Sequence, residues 1–317
     1  MGPAVVVVTG PTATGKTALG VELARLFNGE VISADSMQLY RGMDIGTATP
    51  DAEEMRGVPH HLLSCVDPRE DYSVSRFVED AAACIRDVAG RGRLPFLVGG
   101  TGLYIDSLLS GRDFLGGDPA VRAAYAGRYD AEGGEALLRE LAEIDPESAA
   151  RLHPNDKKRV VRALEVWRVT GKTITEHDRE SRLREPPYRA CRIALSFADR
   201  AELYRRIDAR VERMFERGLV EEVRSLLASG VPETATALQA IGYKEVLAAL
   251  RGDCSEAEAK EEIQKASRRY AKRQLSWLSG REDVNWILWE KEPDLSWACQ
   301  LSTAFMVKYG IIDADRH

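Results

Sequence analysis

The sequence predicts an α/β fold: a parallel sheet flanked by helices and interrupted by an all-helical insertion. Three observations carry this. A β-branched run, Ala4–Thr9, opens directly into a glycine-rich loop. Short apolar runs then alternate with helical patterns, the rhythm of β-α-β units. Between 112 and 187 that rhythm stops, leaving helical patterns and no convincing strand.

The elements follow in order. Ala4–Thr9 is apolar at nearly every position, as a central parallel strand buried on both faces is. A helix is expected over 17–27 and a second strand over 30–34. A third strand, Leu94–Val98, ends in Gly99-Gly100-Thr101-Gly102. Further strands are expected over 191–197 and Val284–Trp289. After Asp199 the pattern is helical, with Leu203, Ile207, Val211, Met214 and Phe215 on one face. The insertion opens with Gly116-Gly117-Asp118-Pro119 and closes with Pro186-Pro187, both boundary signals. The expected domains are therefore a core of 1–111 with 188–317, and a helical insertion of 112–187.

Composition narrows the class. The 317 residues are 44% hydrophobic and 30% charged, ordinary for a globular protein, and no run of eighteen apolar residues predicts a membrane span. The N-terminal valines read as a strand and not as a leader. Five cysteines without a CxxC pair fit free thiols in a reducing cytoplasm. The net charge of −6 argues against binding nucleic acid over the whole surface. Charge is nevertheless segregated. Residues 151–184 hold 10 Lys/Arg against 5 Asp/Glu, and residues 263–281 hold 6 Lys/Arg and no acid. A nucleic-acid enzyme with an acidic remainder has this distribution.

Gly10-Pro11-Thr12-Ala13-Thr14-Gly15-Lys16-Thr17 fits G-x-x-x-x-G-K-T in full, between a predicted strand and a predicted helix. Glycines let backbone N–H groups approach phosphate oxygens, and the helix N-terminus adds its dipole. Lys16 supplies a compact charge, and the Thr17 hydroxyl is placed to ligate magnesium. The core is thus P-loop NTPase-like. An NTP is the ordinary occupant, and any diphosphate ester fits the same cradle.

Ser33-Ala34-Asp35-Ser36-Met37-Gln38 leaves the second strand, and ligands in open α/β sheets bind beyond the carboxyl ends of strands. Asp35 is open to three roles: proton acceptor, water-mediated magnesium ligand, or N-cap of a following helix. Thr101 ends the third strand in the same way, either close to a ligand or in a plain tight turn. Lys265, Arg268, Arg269, Lys272 and Arg273 share one helical face, which predicts an anionic partner or a solvated basic face. Arg206, Arg210, Arg213 and Arg217 form a second line, with acids near enough to pair. Lys157, Lys158, Arg159 and Arg162 form a cluster in the insertion suited to phosphate-backbone contacts. His60, His61 and His153 are read as structural.

Together these residues resemble the bacterial tRNA dimethylallyltransferase (tRNA isopentenyltransferase) family. The matching blocks are GPTATGKT from Gly10, ISADSMQLYRGMDIGTA from Ile32, PHHLLSCVDPREDYSV from Pro59, VGGTGLY from Val98, HPNDKKRVVRALEV from His153, IGYKE from Ile241 and RRYAKRQLSWL from Arg268. Thr49 departs from the family, which more often has Lys there. No C-terminal zinc-finger pattern of the eukaryotic relatives is seen.

The resemblance implies transfer of a dimethylallyl group from dimethylallyl diphosphate to N6 of the adenosine 3′ of the anticodon, with Mg²⁺ as cofactor. It implies that the phosphate loop, Lys16 and Thr17 hold diphosphate and metal, and that Asp35 is the general base. Thr101 is expected at the diphosphate or the base, and Arg210 at the leaving group. Asp35, Ser36, Met37 and Gln38, and Arg159, Val160, Val161, Arg162 and Ala163, match stretches that touch tRNA. The insertion would grip the anticodon stem-loop, and the chain would be a cytoplasmic monomer. A small-molecule kinase, an adenylate prenyltransferase and an RNA-binding ATPase-like module are the competing readings.

Overall fold

The computed structural model describes residues 2–111, 116–183 and 185–313. The first four residues of the expected insertion, 112–115, lie outside that set. By internal contacts the chain divides into two units, 1–109 with 187–317, and 110–186.

The first unit runs β1 (Ala4–Thr9), α1 (Lys16–Leu26), β2 (Gly29–Ser33), α2 (Ala52–Met55), β3 (His60–His61), α3 (Val74–Gly90), β4 (Leu94–Val98) and α4 (Gly102–Leu109). The second unit is α5 (Pro119–Glu132), α6 (Gly134–Ile144), α7 (Pro146–Arg151), α8 (Lys157–Thr170) and α9 (Ile174–Arg182). The first then resumes with β5 (Arg189–Phe197), α10 (Arg200–Glu216), α11 (Leu219–Ala228), α12 (Tyr243–Arg251), α13 (Glu256–Ser279), β6 (Val284–Trp289) and α14 (Leu295–Lys308).

All sheet pairings are parallel, in the order β3-β2-β4-β1-β5-β6. The chain reaches β4 on one side of β1 and β5 on the other, so the order reverses at β1 and opens a crevice at the carboxyl ends. Strand alternation splits the valines of β1 between two layers. Val5 and Val7 join Ile32, Leu97 and the α3 residues Phe77, Ala81 and Ile85. Val6 and Val8 join Phe96, Ile193 and the α1 residues Leu19, Val21 and Leu23. Each such buried side chain contributes on the order of 2 kcal/mol by leaving water.

Two expectations shift. The second strand ends at Ser33 and not at 34, and the fourth long strand begins at Arg189. The two-residue strand β3 was not expected. It carries no period-2 pattern and exists because His60 and His61 pair with Val31 and Ile32 at the sheet edge. His61 is held there by Glu30, 2.7 Å from its Nε2.

The helical unit has its own core of Tyr125, Leu137, Leu141, Ala149, Val160, Val161, Ala163 and Leu164. Asp118, Asp145, Asp156 and Thr173 cap four of its helices, each accepting a backbone N–H in the first turn.

Candidate active site

The phosphate loop leaves β1 at Gly10, whose φ of 138° favours glycine; an added Cβ would lie 2.3 Å from the Leu195 carbonyl oxygen. Thr14 Oγ1 donates to the Pro11 carbonyl at 2.8 Å, closing the loop on itself. Trp289 on β6 is buried, and its indole N–H donates to the Thr14 carbonyl at 3.0 Å. Lys16 opens α1 and folds back, its Nζ donating to the Pro11 carbonyl at 2.7 Å. Burial, and then the neighbouring Arg210, hold its pKa down at about 7, while Asp35 opposes the shift.

Arg210 projects from α10 to the same loop. One guanidinium nitrogen donates to Thr12 Oγ1 at 2.6 Å and the other to the Thr47 carbonyl at 3.2 Å. Burial lowers its pKa and the Asp35 charge raises it.

Asp35 lines the crevice beyond β2. No helix follows it. Its Oδ1 accepts from the Met37 amide at 2.9 Å in a turn, so the helix-capping reading is corrected. Thr101 ties the ends of β2 and β4 together: its amide donates to the Ala34 carbonyl at 3.1 Å, and its Oγ1 accepts from the Ser36 amide at 3.0 Å. Gln38 is committed to the protein itself. Its Oε1 accepts from Ser33 Oγ at 3.1 Å, and its Nε2 donates to the carbonyls of Thr47 and Ala48.

Thr12–Thr17, Asp35, Gln38 and Arg210 border one cleft of about 490 Å³ within the first unit, whereas Thr101 is not among the residues that line it. Its lining includes a polar set, the phosphate-loop residues Thr12–Thr17 with Arg210, and an apolar set, Val211, Met214, Ala240, Ile241 and Ile263. On α10, Met214 stands one turn beyond Arg210, about 6 Å along the axis. The cleft can therefore hold an anionic head and a short apolar tail.

Sequence reasoning missed Gln274 and Tyr270 of α13. Gln274 is buried; its Oε1 accepts from the Thr12 amide and its Nε2 donates to the Gly100 carbonyl, both at 3.0 Å. Tyr270 lines the cleft; burial, then the Asp35 charge, push its hydroxyl up to about 12. Gln274 shares a face with the buried Ala271 and Leu278, which is the signal that marked it as inward.

The basic stripe of α13 is corrected in part. Arg268 pairs with Asp208 on α10, Arg269 with Glu262 at 3.5 Å, and Lys265 with Glu261 at 3.8 Å. An acid on α10 and acids one or two turns back on α13 satisfy these cations, whereas Arg273 borders the cleft. In the helical unit, Val160, Val161 and Ala163 are buried in the core and offer no surface to an RNA. Arg162 pairs with the buried Glu165 at 2.9 Å, and Arg159 is exposed.

For a metal, the cleft offers the Thr17 hydroxyl and the Asp35 carboxylate, both hard oxygen donors. No group of three or more His, Cys, Asp or Glu that could hold a metal occurs among the described residues. That donor set fits a cation bound mostly through substrate oxygens and water, as magnesium is. No helix among the described residues is long and apolar enough to cross a membrane.

Comparison with known proteins gives a consistent picture. The family pattern described as IPP transferase matches residues 38–281, and that described as isopentenyl transferase matches residues 3–64. The chain is similar to the tRNA dimethylallyltransferase of Geobacter sulfurreducens, 48% identical over 283 residues, covering 89% of this chain and 91% of the relative. The crystal structure of the tRNA isopentenylpyrophosphate transferase from Bacillus halodurans matches with a TM-score of 0.72 and 40% identity, over 97% of this chain and 98% of that one. A eukaryotic dimethylallyltransferase acting on tRNA matches with a TM-score of 0.81 and 30% identity, over 96% and 78%.

Proposed function

This chain belongs to the tRNA dimethylallyltransferase family, and on that premise we propose that it moves a dimethylallyl group from dimethylallyl diphosphate to N6 of the adenosine 3′ of the anticodon. The observation that carries this is one cleft whose lining combines a phosphate loop and two part-buried cations, Lys16 and Arg210, with an apolar wall. A prenyl diphosphate uses both features.

The residues divide the work by their chemistry. Loop amides, Lys16 and Arg210 take the diphosphate and stabilise the charge that grows on the leaving oxygen as the allylic C–O bond breaks. Asp35, which lines the same cleft, accepts the proton that the adenine amino group loses as its nitrogen bonds to the allylic carbon. Thr101 fixes the turn beside Asp35. Magnesium, held by the Thr17 hydroxyl together with diphosphate oxygens and water, would supply further positive charge to the leaving group. The apolar wall of Val211, Met214 and Ile263 shelters the five-carbon group.

The adenine must leave its stack to reach the cleft, at a cost of a few kcal/mol. The helical unit, with exposed Arg159 and its basic neighbours, is suited to holding the anticodon stem-loop in that state. Five unpaired cysteines fit the reducing cytoplasm.

Incubation with labelled dimethylallyl diphosphate and tRNA tests the assignment. Label in the tRNA supports it. Consumption of ATP with a small acceptor and no label in the tRNA would overturn it.

A further inference from the structure

The loop between β2 and α2 holds a feature that the reaction scheme does not use. Glu222 on α11 reaches across 176–178 residues of sequence and accepts three successive backbone N–H groups: Asp44 at 2.8 Å, Ile45 at 2.7 Å and Gly46 at 3.1 Å. The Tyr243 hydroxyl donates to the same carboxylate at 2.6 Å. Consecutive amides converging on one anion form a nest of the type that binds phosphate. Here the protein supplies its own anion. Gly46 has no room for a side chain, because a Cβ there would lie 2.5 Å from the Tyr243 ring.

The nest ends one residue before a second cluster. The Thr47 carbonyl accepts from Arg210 at 3.2 Å and from Gln38 at 3.3 Å, and the Ala48 carbonyl accepts from Gln38 at 3.1 Å. Consecutive Cα atoms are only about 3.8 Å apart, so Thr47 cannot move far while Gly46 is held. The other end of the Arg210 guanidinium is on Thr12 of the phosphate loop. Glu222, residues 44–47, Arg210 and Thr12 are thus linked by hydrogen bonds and the intervening backbone.

We infer that Glu222 is a positioning residue: it clamps the 44–46 backbone so that the Thr47 carbonyl aims Arg210 at the diphosphate. The functional consequence for transfer rests on the prenyl-transfer reading above. The positioning of Arg210 for a diphosphate does not, and inorganic diphosphate probes it directly.

The experiment measures diphosphate affinity by calorimetry for the full chain, E222Q, R210K and the double variant, with a thermal midpoint for each. In E222Q an N–H donor replaces one acceptor oxygen, so the nest opens. Affinity is expected to fall roughly tenfold in E222Q, and little further when the change is made in R210K. With tRNA and dimethylallyl diphosphate, E222Q should lower kcat and leave the KM for tRNA unchanged. Wild-type diphosphate affinity in folded E222Q overturns the inference, and so do losses that multiply in full in the double variant. If E222Q does not fold, Y243F decides. A smaller loss that disappears in the R210K background supports the inference, and wild-type affinity overturns it. A wild-type chain that binds diphosphate but transfers no prenyl group would refute the functional reading alone.

Discussion

The side chain of Gln274 spans the gap between the two loops of the site, accepting from the Thr12 amide and donating to the Gly100 carbonyl, both at 3.0 Å. A single neutral amide thereby fixes the phosphate loop against the turn after β4. Gln274→Ala leaves one donor and one acceptor unpaired in a buried place, a cost of about 1–3 kcal/mol for each group. Its thermal midpoint should fall, and its KM for prenyl diphosphate should rise by roughly one order of magnitude. Gln274→Glu keeps the acceptor and adds a negative charge beside the diphosphate, so its KM should rise further. Steady-state kinetics on the two variants check the order.

Lys16 gives a pH prediction. Its pKa is held at about 7, against an ordinary value of 10.5. Between those values the unfolded chain keeps a proton that the folded, ligand-free chain has released. The lysine's penalty on folding is therefore full below about pH 7 and relieved as pH rises through that window. An incoming diphosphate favours the charged ammonium, so binding should take up protons above about pH 7. Calorimetry in buffers of differing ionisation enthalpy should show more uptake at about pH 8 than at about pH 6. Equal uptake at both would remove Lys16 from this role.

Glu30 shows the opposite sign. It is buried on β2, with Arg91 Nη2 at 2.8 Å, Arg93 at 3.0 Å and His61 at 2.7 Å. Arg91 lowers its pKa most, against the opposing effect of burial, with His61 adding to the lowering, to about 2 from 4.5. Its contribution is full above about pH 4.5 and lost as pH falls through about 2. Glu30→Gln should therefore lower the thermal midpoint at neutral pH and matter little near pH 2. Thermal melts across that range check this.

Much of this architecture is legible in the residues alone. The valines of β1 and the loop pattern at Gly10–Thr17 suffice for the sheet's centre and its phosphate site, because a buried strand and a phosphate turn each constrain local sequence tightly. Asp35 and Thr101 could be singled out because strand ends point to a crevice, and Arg210 only through the family resemblance. Tyr270 and Glu222 could not, and Gln274 showed only that it faces inward, since their partners are far away in sequence and set by how helices pack. The same limit explains the α13 stripe: i, i+4 spacing shows which cations share a face, and only packing shows that Asp208 neutralises one of them. In the Arg159–Ala163 stretch, Val160, Val161 and Ala163 were read as contacts although a helix turns them into the core.

Asp35 carries the central claim. Asp35→Asn keeps the size and the turn to Met37 but removes the proton acceptor. It should retain tRNA affinity and lose roughly 10²–10⁴ in turnover. The most direct measurement is mass analysis of the anticodon fragment of tRNA after incubation with dimethylallyl diphosphate and either wild type or this variant. The account predicts that one adenosine, 3′ of the anticodon, gains a dimethylallyl group in place of a hydrogen with wild type and barely reacts with the variant. An unmodified fragment from wild type, or equal modification by the variant, would contradict it.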